Sequence, residues 1–328
     1  MKIFLTGTSG FVGSHLLRFL EDQGHQVLSH FRPHYSSLTF EQNHNISHID
    51  LFDENSLVAE LRTIDIMIHC GAFVGTWGKE EDFYQNNILL TQSIIRCVKK
   101  AGVKQLIYLS CASVVMNQPQ ALLNITESLT LTYIDGLPYS KSKGIAEQLV
   151  LDAGKKDLKT IALRPSFIWG PGDIVDRQIG KAAQAGEFGW FNQGDYLFST
   201  CYIENLHEAI SKAMQSNQTG QAYFISDGEA IRFRSFMEKR LQIGDYPIPS
   251  LSFPNWFAWA LARFTENGWK YLPLKGSPPI TREMVRLTGY PFTVSIEKAQ
   301  VELGYQPKYS VEKAFVHLSG LIPNALIV

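Results

Sequence analysis

A chain of 328 residues, of which 45% are hydrophobic and 19% charged, can bury a large core and is not typical of a disordered protein. The formal net charge of -1 gives no electrostatic case for a nucleic acid or an anionic membrane as partner. Four scattered cysteines show neither disulfide nor zinc spacing, and no apolar run is long enough to span a membrane. We therefore expect a soluble cytoplasmic protein without a metal site, built as one composite unit or two domains.

The first thirteen residues predict a strand, a glycine turn and a helix. An apolar run stops at Gly7, Gly10 and Gly13 follow at three-residue steps, and apolar residues at helical spacing come next. These glycines can form a tight turn, admit a diphosphate close to the backbone and let the helix pack on the strand. The helix N-terminus offers free N–H groups to the anion. We favour a dinucleotide site over a structural turn, with contacts from Gly7, Ser9, Gly10, Phe11, Val12 and Gly13.

The end of the second predicted strand bears on cofactor choice. An Asp or Glu there would bind the 2′-hydroxyl of NAD. The chain has Phe31 and Arg32 instead, and a guanidinium suits a 2′-phosphate. We predict NADP(H) rather than NAD(H), with Arg32 contacting the phosphate; a solvated loop arginine is the alternative.

Two more strand ends carry candidate cofactor contacts. The third predicted strand runs into Asp50 and Leu51, and Asp50 could accept a hydrogen bond from the adenine amino group or cap the helix that follows. The fourth ends in Gly71 and Ala72, small residues against which a cofactor can lie.

Strands and helices alternate at short spacing through the first half of the chain. A helix over residues 86–101 precedes a fifth strand over 105–109. This alternation predicts an α/β fold with a doubly wound parallel sheet. His69 and Cys70 are interpreted as packed strand residues, because no partner lies at metal-ligand spacing.

Tyr139 and Lys143 are candidate catalytic residues. They are four residues apart, so on a helix both project from one face. A phenol has an unperturbed pKa of about 10, and a neighbouring ammonium lowers it towards the range of a general acid or base. A serine at the end of the fifth strand would give a second hydrogen bond to a carbonyl or alkoxide.

Together with this pair, four phrases resemble an extended short-chain dehydrogenase/reductase, of the NAD-dependent epimerase/dehydratase superfamily. They are TGTSGFVG at 6–13, ALRPSFIWGPG at 162–172, YIEN at 202–205 and LGYQP at 303–307. The last two are most similar to the 3β-hydroxysteroid dehydrogenase branch. The resemblance implies catalysis by Tyr139 and Lys143, which also contact the cofactor. It places Pro165 and Ile168 against the nicotinamide and Asn87 in a supporting cofactor position.

The resemblance also implies a domain organisation. A Rossmann-type nucleotide-binding domain would comprise residues 1–171 and about 200–230. A smaller, interleaved C-terminal substrate domain would comprise about 172–199 and 231–328. Dimers are common in this superfamily, so a homodimer is possible.

One position departs from the family pattern. Cys111 stands where relatives carry the catalytic Ser or Thr, and a thiol is a weaker hydrogen-bond donor than a hydroxyl. The role can pass to Ser110 or Ser113, and we favour Ser110.

The substrate is expected to be apolar. Phe167, Phe198 and Ser199 occupy places where sugar-nucleotide enzymes of the superfamily usually carry Asn, Arg and Asp. An unpaired diphosphate against phenyl rings would cost several kcal/mol. The apolar helix at 253–264 has three interpretations: a core helix, which we favour, a lid over the pocket, or an interfacial membrane anchor.

Three functions compete. The first is an NADP(H)-dependent oxidoreductase that interconverts a secondary alcohol and a ketone on a bulky, mostly apolar small molecule, such as a steroid-like or long-chain keto compound. The second is a nucleoside-diphosphate-sugar epimerase or dehydratase. The third is a non-catalytic NADP(H) sensor, disfavoured because a sensor needs no proton donor at Tyr139.

Cofactor preference gives a first prediction. Arg32→Glu should weaken NADPH binding far more than NADH binding, because only NADPH carries the 2′-phosphate. Fluorescence titration of both cofactors measures this. Equal loss of both would contradict the assignment of Arg32.

Overall fold

Strands and helices alternate along the first half of the computed structural model, which describes residues 1–31, 44–116, 118–131, 136–155, 157–272 and 274–325. The strands are β1 (Lys2–Thr6), β2 (Gln26–His30), β3 (Asn45–Ser47), β4 (Ile66–His69), β5 (Gln105–Leu109), β6 (Leu122–Ile125), β7 (Lys159–Pro165), β8 (Phe167–Trp169), β9 (Trp190–Phe191), β10 (Leu197–Tyr202), β11 (Gln221–Ile225), β12 (Ala230–Arg232), β13 (Ser252–Phe253) and β14 (Phe292–Val294).

The helices are α1 (Phe11–Asp22), α2 (Glu54–Leu61), α3 (Glu80–Phe83), α4 (Leu90–Ala101), α5 (Pro138–Gly154), α6 (Gly180–Gln184), α7 (Ile203–Gln215), α8 (Phe233–Ile243), α9 (Asn255–Tyr271), α10 (Arg282–Thr288), α11 (Glu297–Leu303) and α12 (Val311–Ala325). A π-helical turn, Tyr84–Leu89, joins α3 to α4. The helix predicted over residues 86–101 therefore begins earlier, at Glu80, and runs through this turn.

The larger sheet is parallel and doubly wound. Its seven strands have the order β11-β7-β5-β4-β1-β2-β3. Alternate residues of β1 face opposite sides, as a pleated strand requires. Ile3 and Leu5 pack in a cluster with residues of α1 and α7, whereas Phe4 packs in a second cluster with residues of α2, α4 and α5. The predicted α/β architecture is confirmed.

A second sheet has the order β12-β10-β14-β6, and β8 pairs with β10. β6 comes from the first half of the chain, whereas β8, β10, β12 and β14 come from the second half. The domain boundaries stay a prediction. Within the described residues no helix is long and apolar enough to cross a bilayer.

A buried ion pair fixes α5 against the larger sheet. Arg164 on β7 donates through Nε and NH2 to the Glu147 carboxylate on α5, the shortest contact being 2.6 Å, and both side chains are at most 4% exposed. Removing one partner would leave a buried charge uncompensated. The ion pair therefore fixes the position of α5 along the strands of the larger sheet.

Candidate active site

The carboxyl ends of four neighbouring strands bring the predicted residues together. In the sheet β7, β5, β4 and β1 are adjacent, and their ends lead to Pro165, Ser110, Gly71 and Gly7. In parallel α/β sheets ligands bind at this edge. The sheet order therefore aligns the predicted nicotinamide, serine and diphosphate contacts along one crevice.

The glycine turn has the shape that a diphosphate needs. Gly7 has a φ of +81°, and a Cβ there would lie 2.7 Å from the Gly71 nitrogen. A Cβ on Gly13 would lie 2.1 Å from the Gly7 oxygen, so α1 packs on the turn only without a side chain. On Gly10, the N-cap of α1, a Cβ would meet only the Gly7 oxygen, at 3.3 Å. Gly10 therefore faces space that a side chain would fill, in front of a helix N-terminus without an acidic residue in its first turn.

Neighbouring side chains fix the turn. The Thr6 hydroxyl accepts a hydrogen bond from the Gly71 N–H at 3.1 Å and lies 2.8 Å from His69 Nδ1. Burial lowers the pKa of His69 to about 3, so this ring is neutral. Burial raises the pKa of Cys70 to about 12, so its thiol stays protonated. Both residues are packed at the end of β4, next to the half-buried Ala72.

The structure places the predicted adenine-side contacts, Asp50 and Leu51, in different surroundings. Asp50 is exposed and its carboxylate accepts from the Phe52 N–H at 3.0 Å. The alternative that Asp50 caps the next helix is wrong, because Asp53 is the N-cap of α2. The side chain of Leu51 is buried in the cluster under α2. Arg32 lies outside the described residues.

Phe11 and Val12 begin α1 and pack partly against the larger core cluster, and Ser9 lies in the turn before the helix. His15, one turn along the helix, lies with Nε2 3.0 Å from the Pro171 oxygen. This contact brings the glycine turn close to the loop that follows Ile168 on β8.

Tyr139 and Lys143 lie on the first two turns of α5. Lys143 Nζ donates to the Leu109 carbonyl at 2.6 Å and lies 4.1 Å from the centre of the Tyr108 ring. Burial lowers the pKa of Lys143 to about 8. Burial first, and the Cys111 thiol next, raise the pKa of Tyr139 well above its ordinary value. The predicted lowering of the Tyr139 pKa by Lys143 is thus not seen, because the ammonium is directed at a carbonyl and the phenol is desolvated.

The Cys111 thiol is one of the groups that act on the Tyr139 phenol. It forms a hydrogen bond with the Ser113 hydroxyl at 3.0 Å. The buried Ser110 hydroxyl has no hydrogen-bond partner among the described residues, although its N–H donates to the Leu163 carbonyl at 2.8 Å. Ser110 as the catalytic serine stays a prediction.

Asn87 joins the crevice to α5. Its amide accepts from the Phe73 N–H at 2.7 Å and donates to the Phe73 carbonyl at 3.1 Å and the Ser142 hydroxyl at 2.9 Å. Asn87 is 1% exposed. These contacts tie the loop after β4 to the helix of Tyr139, which is a positioning role.

Glu283 is a residue of this site that the sequence did not point to. Its carboxylate on α10 accepts from the Tyr139 and Ser140 N–H groups, each at 3.2 Å, and from the Ser140 hydroxyl. α5 has no side-chain cap of its own. The cap comes from a residue 144 positions later in the chain, so only the absence of a local cap could have indicated it.

Phe167 and Phe198 pack on each other. Their ring centres are 6.1 Å apart, and both rings contact Phe236 on α8. An aromatic cluster thus lies between β8, β10 and α8.

The predicted core helix at 253–264 is not in the core. α9 buries its small or polar residues, among them Ala258 and Ala262, whereas Trp256 is 73% exposed and Phe264 76% exposed. The favoured interpretation was wrong because apolar residues on several faces of a helix do not reveal which face is covered.

Comparison with known proteins agrees with this geometry. The sequence profile of the 3-beta hydroxysteroid dehydrogenase/isomerase family matches residues 4–254. The chain is 32% identical to 2-alkyl-3-oxoalkanoate reductase of Stenotrophomonas maltophilia over 97% of this chain and 98% of that protein. It is 27% identical to the decarboxylating sterol-4-alpha-carboxylate 3-dehydrogenase of Dictyostelium discoideum, over 97% and 99%.

Solved structures show the same fold at low identity. UDP-glucose 4-epimerase of Thermotoga maritima, with UDP-glucose, superimposes with a TM-score of 0.77 at 19% identity, covering 99% of this chain and 100% of that one. UDP-glucuronic acid 4-epimerase of Bacillus cereus, in complex with NAD, gives a TM-score of 0.72 at 20% identity, covering 99% of both chains.

The two glycines of the turn should respond differently to a methyl group. Gly13→Ala should destabilise the fold by about 3 kcal/mol because its Cβ overlaps the Gly7 carbonyl. Gly10→Ala should cost only about 1 kcal/mol yet lose dinucleotide binding, because its Cβ occupies the diphosphate space. Thermal unfolding and cofactor titration separate the two effects. Full cofactor binding by Gly10→Ala would contradict the site.

Glu283 should make stability depend on pH. Burial raises its pKa from 4.5 to about 7, so the folded chain holds a proton that the unfolded chain has lost. Its stabilising contribution is complete below pH 4.5 and is lost as the pH rises to about 7. The unfolding free energy of wild type minus that of Glu283→Gln should therefore fall between pH 5 and pH 8, by about 3 kcal/mol at most.

Urea denaturation at these two pH values measures the effect. Glu297→Gln, at an exposed position on α11, is the matched control and should show little change. A difference between wild type and Glu283→Gln that is the same at both pH values would contradict the shifted titration.

Proposed function

The chain belongs to the 3-beta hydroxysteroid dehydrogenase/isomerase family of enzymes, and on this premise we propose that it interconverts a secondary alcohol and a ketone on a bulky, mostly apolar substrate. The observation that carries the proposal is the placement of Tyr139 and Lys143 on one helix, beside the strand end that leads to Ser110. The glycine turn lies two strands away along the same sheet edge.

The residues have separate tasks in this reaction. A nicotinamide bound along the sheet edge would supply or accept the hydride. Tyr139 donates a proton to the ketone oxygen or takes it from the alcohol. Lys143 is buried on the same face of α5, and in this proposal its ammonium turns from the Leu109 carbonyl towards Tyr139 to stabilise the phenolate that forms when the proton leaves. Ser110 donates its free hydroxyl to the same substrate oxygen.

The cofactor proposed is NADP(H). Arg32 at the end of the second strand supports this choice, since it stands where NAD enzymes carry an acid. Pro165 at the end of β7 and Ile168 on β8 are proposed to lie against the nicotinamide.

The substrate proposed is a long-chain or steroid-like keto compound. The names of two relatives, 2-alkyl-3-oxoalkanoate reductase and sterol-4-alpha-carboxylate 3-dehydrogenase, describe molecules with a large apolar part that carry an oxygen function. The aromatic packing of Phe167, Phe198 and Phe236 supports the same class. A sugar-nucleotide epimerase is the weaker candidate, because the solved epimerases share less than a quarter of their residues with this chain.

Tyr139→Phe tests the proton transfer. It should lower kcat by roughly a hundredfold or more, because the proton donor is lost, while NADPH binding stays near the wild-type level. Turnover is followed by NADPH absorbance and binding by fluorescence titration. Retained turnover would contradict the role of Tyr139.

The hydroxyl donor is tested by comparing alanine variants. Ser110→Ala should lower kcat roughly a hundredfold, the effect of removing one hydrogen bond to a developing oxyanion. Cys111→Ala and Ser113→Ala are the comparison variants. If Ser110→Ala keeps its turnover while Ser113→Ala loses it, the hydroxyl comes from Ser113.

A further inference from the structure

Arg286 on α10 is a buried cation whose charge no described residue neutralises. It is 1% exposed, and Nε, NH1 and NH2 each have no hydrogen-bond partner among the described residues. The guanidinium lies 5.5 Å from the centre of the Tyr290 ring. Burial lowers the pKa of Arg286 to about 10, which reflects the cost of desolvating it.

The acidic side chains of α10 and α9 already have other partners. Glu283 accepts from the N-terminus of α5, and Glu266 forms an ion pair with Arg282 at 2.6 Å. A guanidinium has five N–H donors, and burying it without an acceptor costs several kcal/mol. A ligand oxygen would provide the acceptor that the buried Arg286 guanidinium does not find among the described residues.

Arg286 lies close to the catalytic helix. Residues three apart on a helix are neighbours, so Arg286 is one turn from Glu283, which contacts the backbone of Tyr139. The Tyr290 ring lies beside the guanidinium, and the neighbouring Val285 packs with Ala258 and Ala262 of α9. A ligand that reaches both Arg286 and Tyr139 therefore combines an anionic group with an apolar body.

We propose that Arg286 binds a carboxylate of the substrate. A carboxylate carries one charge and matches the guanidinium fork with two parallel hydrogen bonds. A diphosphate carries at least two charges and would need a second cation, but Arg282 is engaged by Glu266. This inference rests on the proposed function and narrows its substrate to hydroxy and keto acids with a large apolar part.

The experiment compares a 2-alkyl-3-hydroxyalkanoate with its methyl ester, which removes the charge and keeps the carbon chain. Wild type, Arg286→Met and the control Arg62→Met, at an exposed position after α2, are assayed for oxidation of both compounds. Arg286→Met should lower kcat/KM for the acid roughly a hundredfold and leave that for the ester within about threefold. The control should resemble wild type with both.

Thermal unfolding gives a readout that needs no turnover. Without ligand, Arg286→Met should unfold at or above the wild-type midpoint, because an uncompensated buried charge is removed. The acid should raise the midpoint of wild type and not that of Arg286→Met.

The outcomes separate this inference from the proposed function. Equal losses on acid and ester in Arg286→Met, with turnover in wild type, would overturn the carboxylate site and leave the oxidoreductase standing. Stabilisation of wild type by the acid, lost in Arg286→Met but without turnover of either compound, would support the site and overturn the proposed reaction.

Discussion

The buried ion pair between Arg164 and Glu147 is the constraint on which the proposed site depends. It holds α5 against β7, so that the first turns of the helix lie over the carboxyl end of β5. Glu283 then closes the N-terminus of α5 from the far end of the chain. With α5 held at both places, Tyr139 has little freedom to move relative to the sheet edge.

Features that depend on neighbours in the chain could be predicted from the sequence. Gly7 and Gly13 have the roles expected of them because the turn is formed by adjacent residues. The alternation of strands and helices likewise gave the α/β class. The pairing of Tyr139 with Lys143 on one helix follows from their spacing alone.

Features that depend on contacts across the fold could not be predicted. Glu283 and Arg286 have no local motif, and their importance follows from where α10 packs. The thiol of Cys111 reaches Tyr139 in a geometry that no residue count reveals. The sequence shows that α9 is rich in apolar residues. Which face of the helix is buried depends on small residues such as Ala262, and the sequence pattern does not reveal it.

The proposals describe one kind of substrate. A carboxylate at Arg286, an alcohol or ketone oxygen at Tyr139 and an apolar remainder define an amphiphile. α9 and α10 pack together around Val285, so the helix that carries Arg286 is held in place by α9.

The most direct test of this account is the absorbance of NADPH when the purified protein is offered long-chain and steroidal ketones, with sugar nucleotides in parallel. The account predicts net oxidation of NADPH with at least one apolar ketone and none with the sugar nucleotides. Bound NADPH that is not consumed with any ketone, together with conversion of a sugar nucleotide, would contradict it.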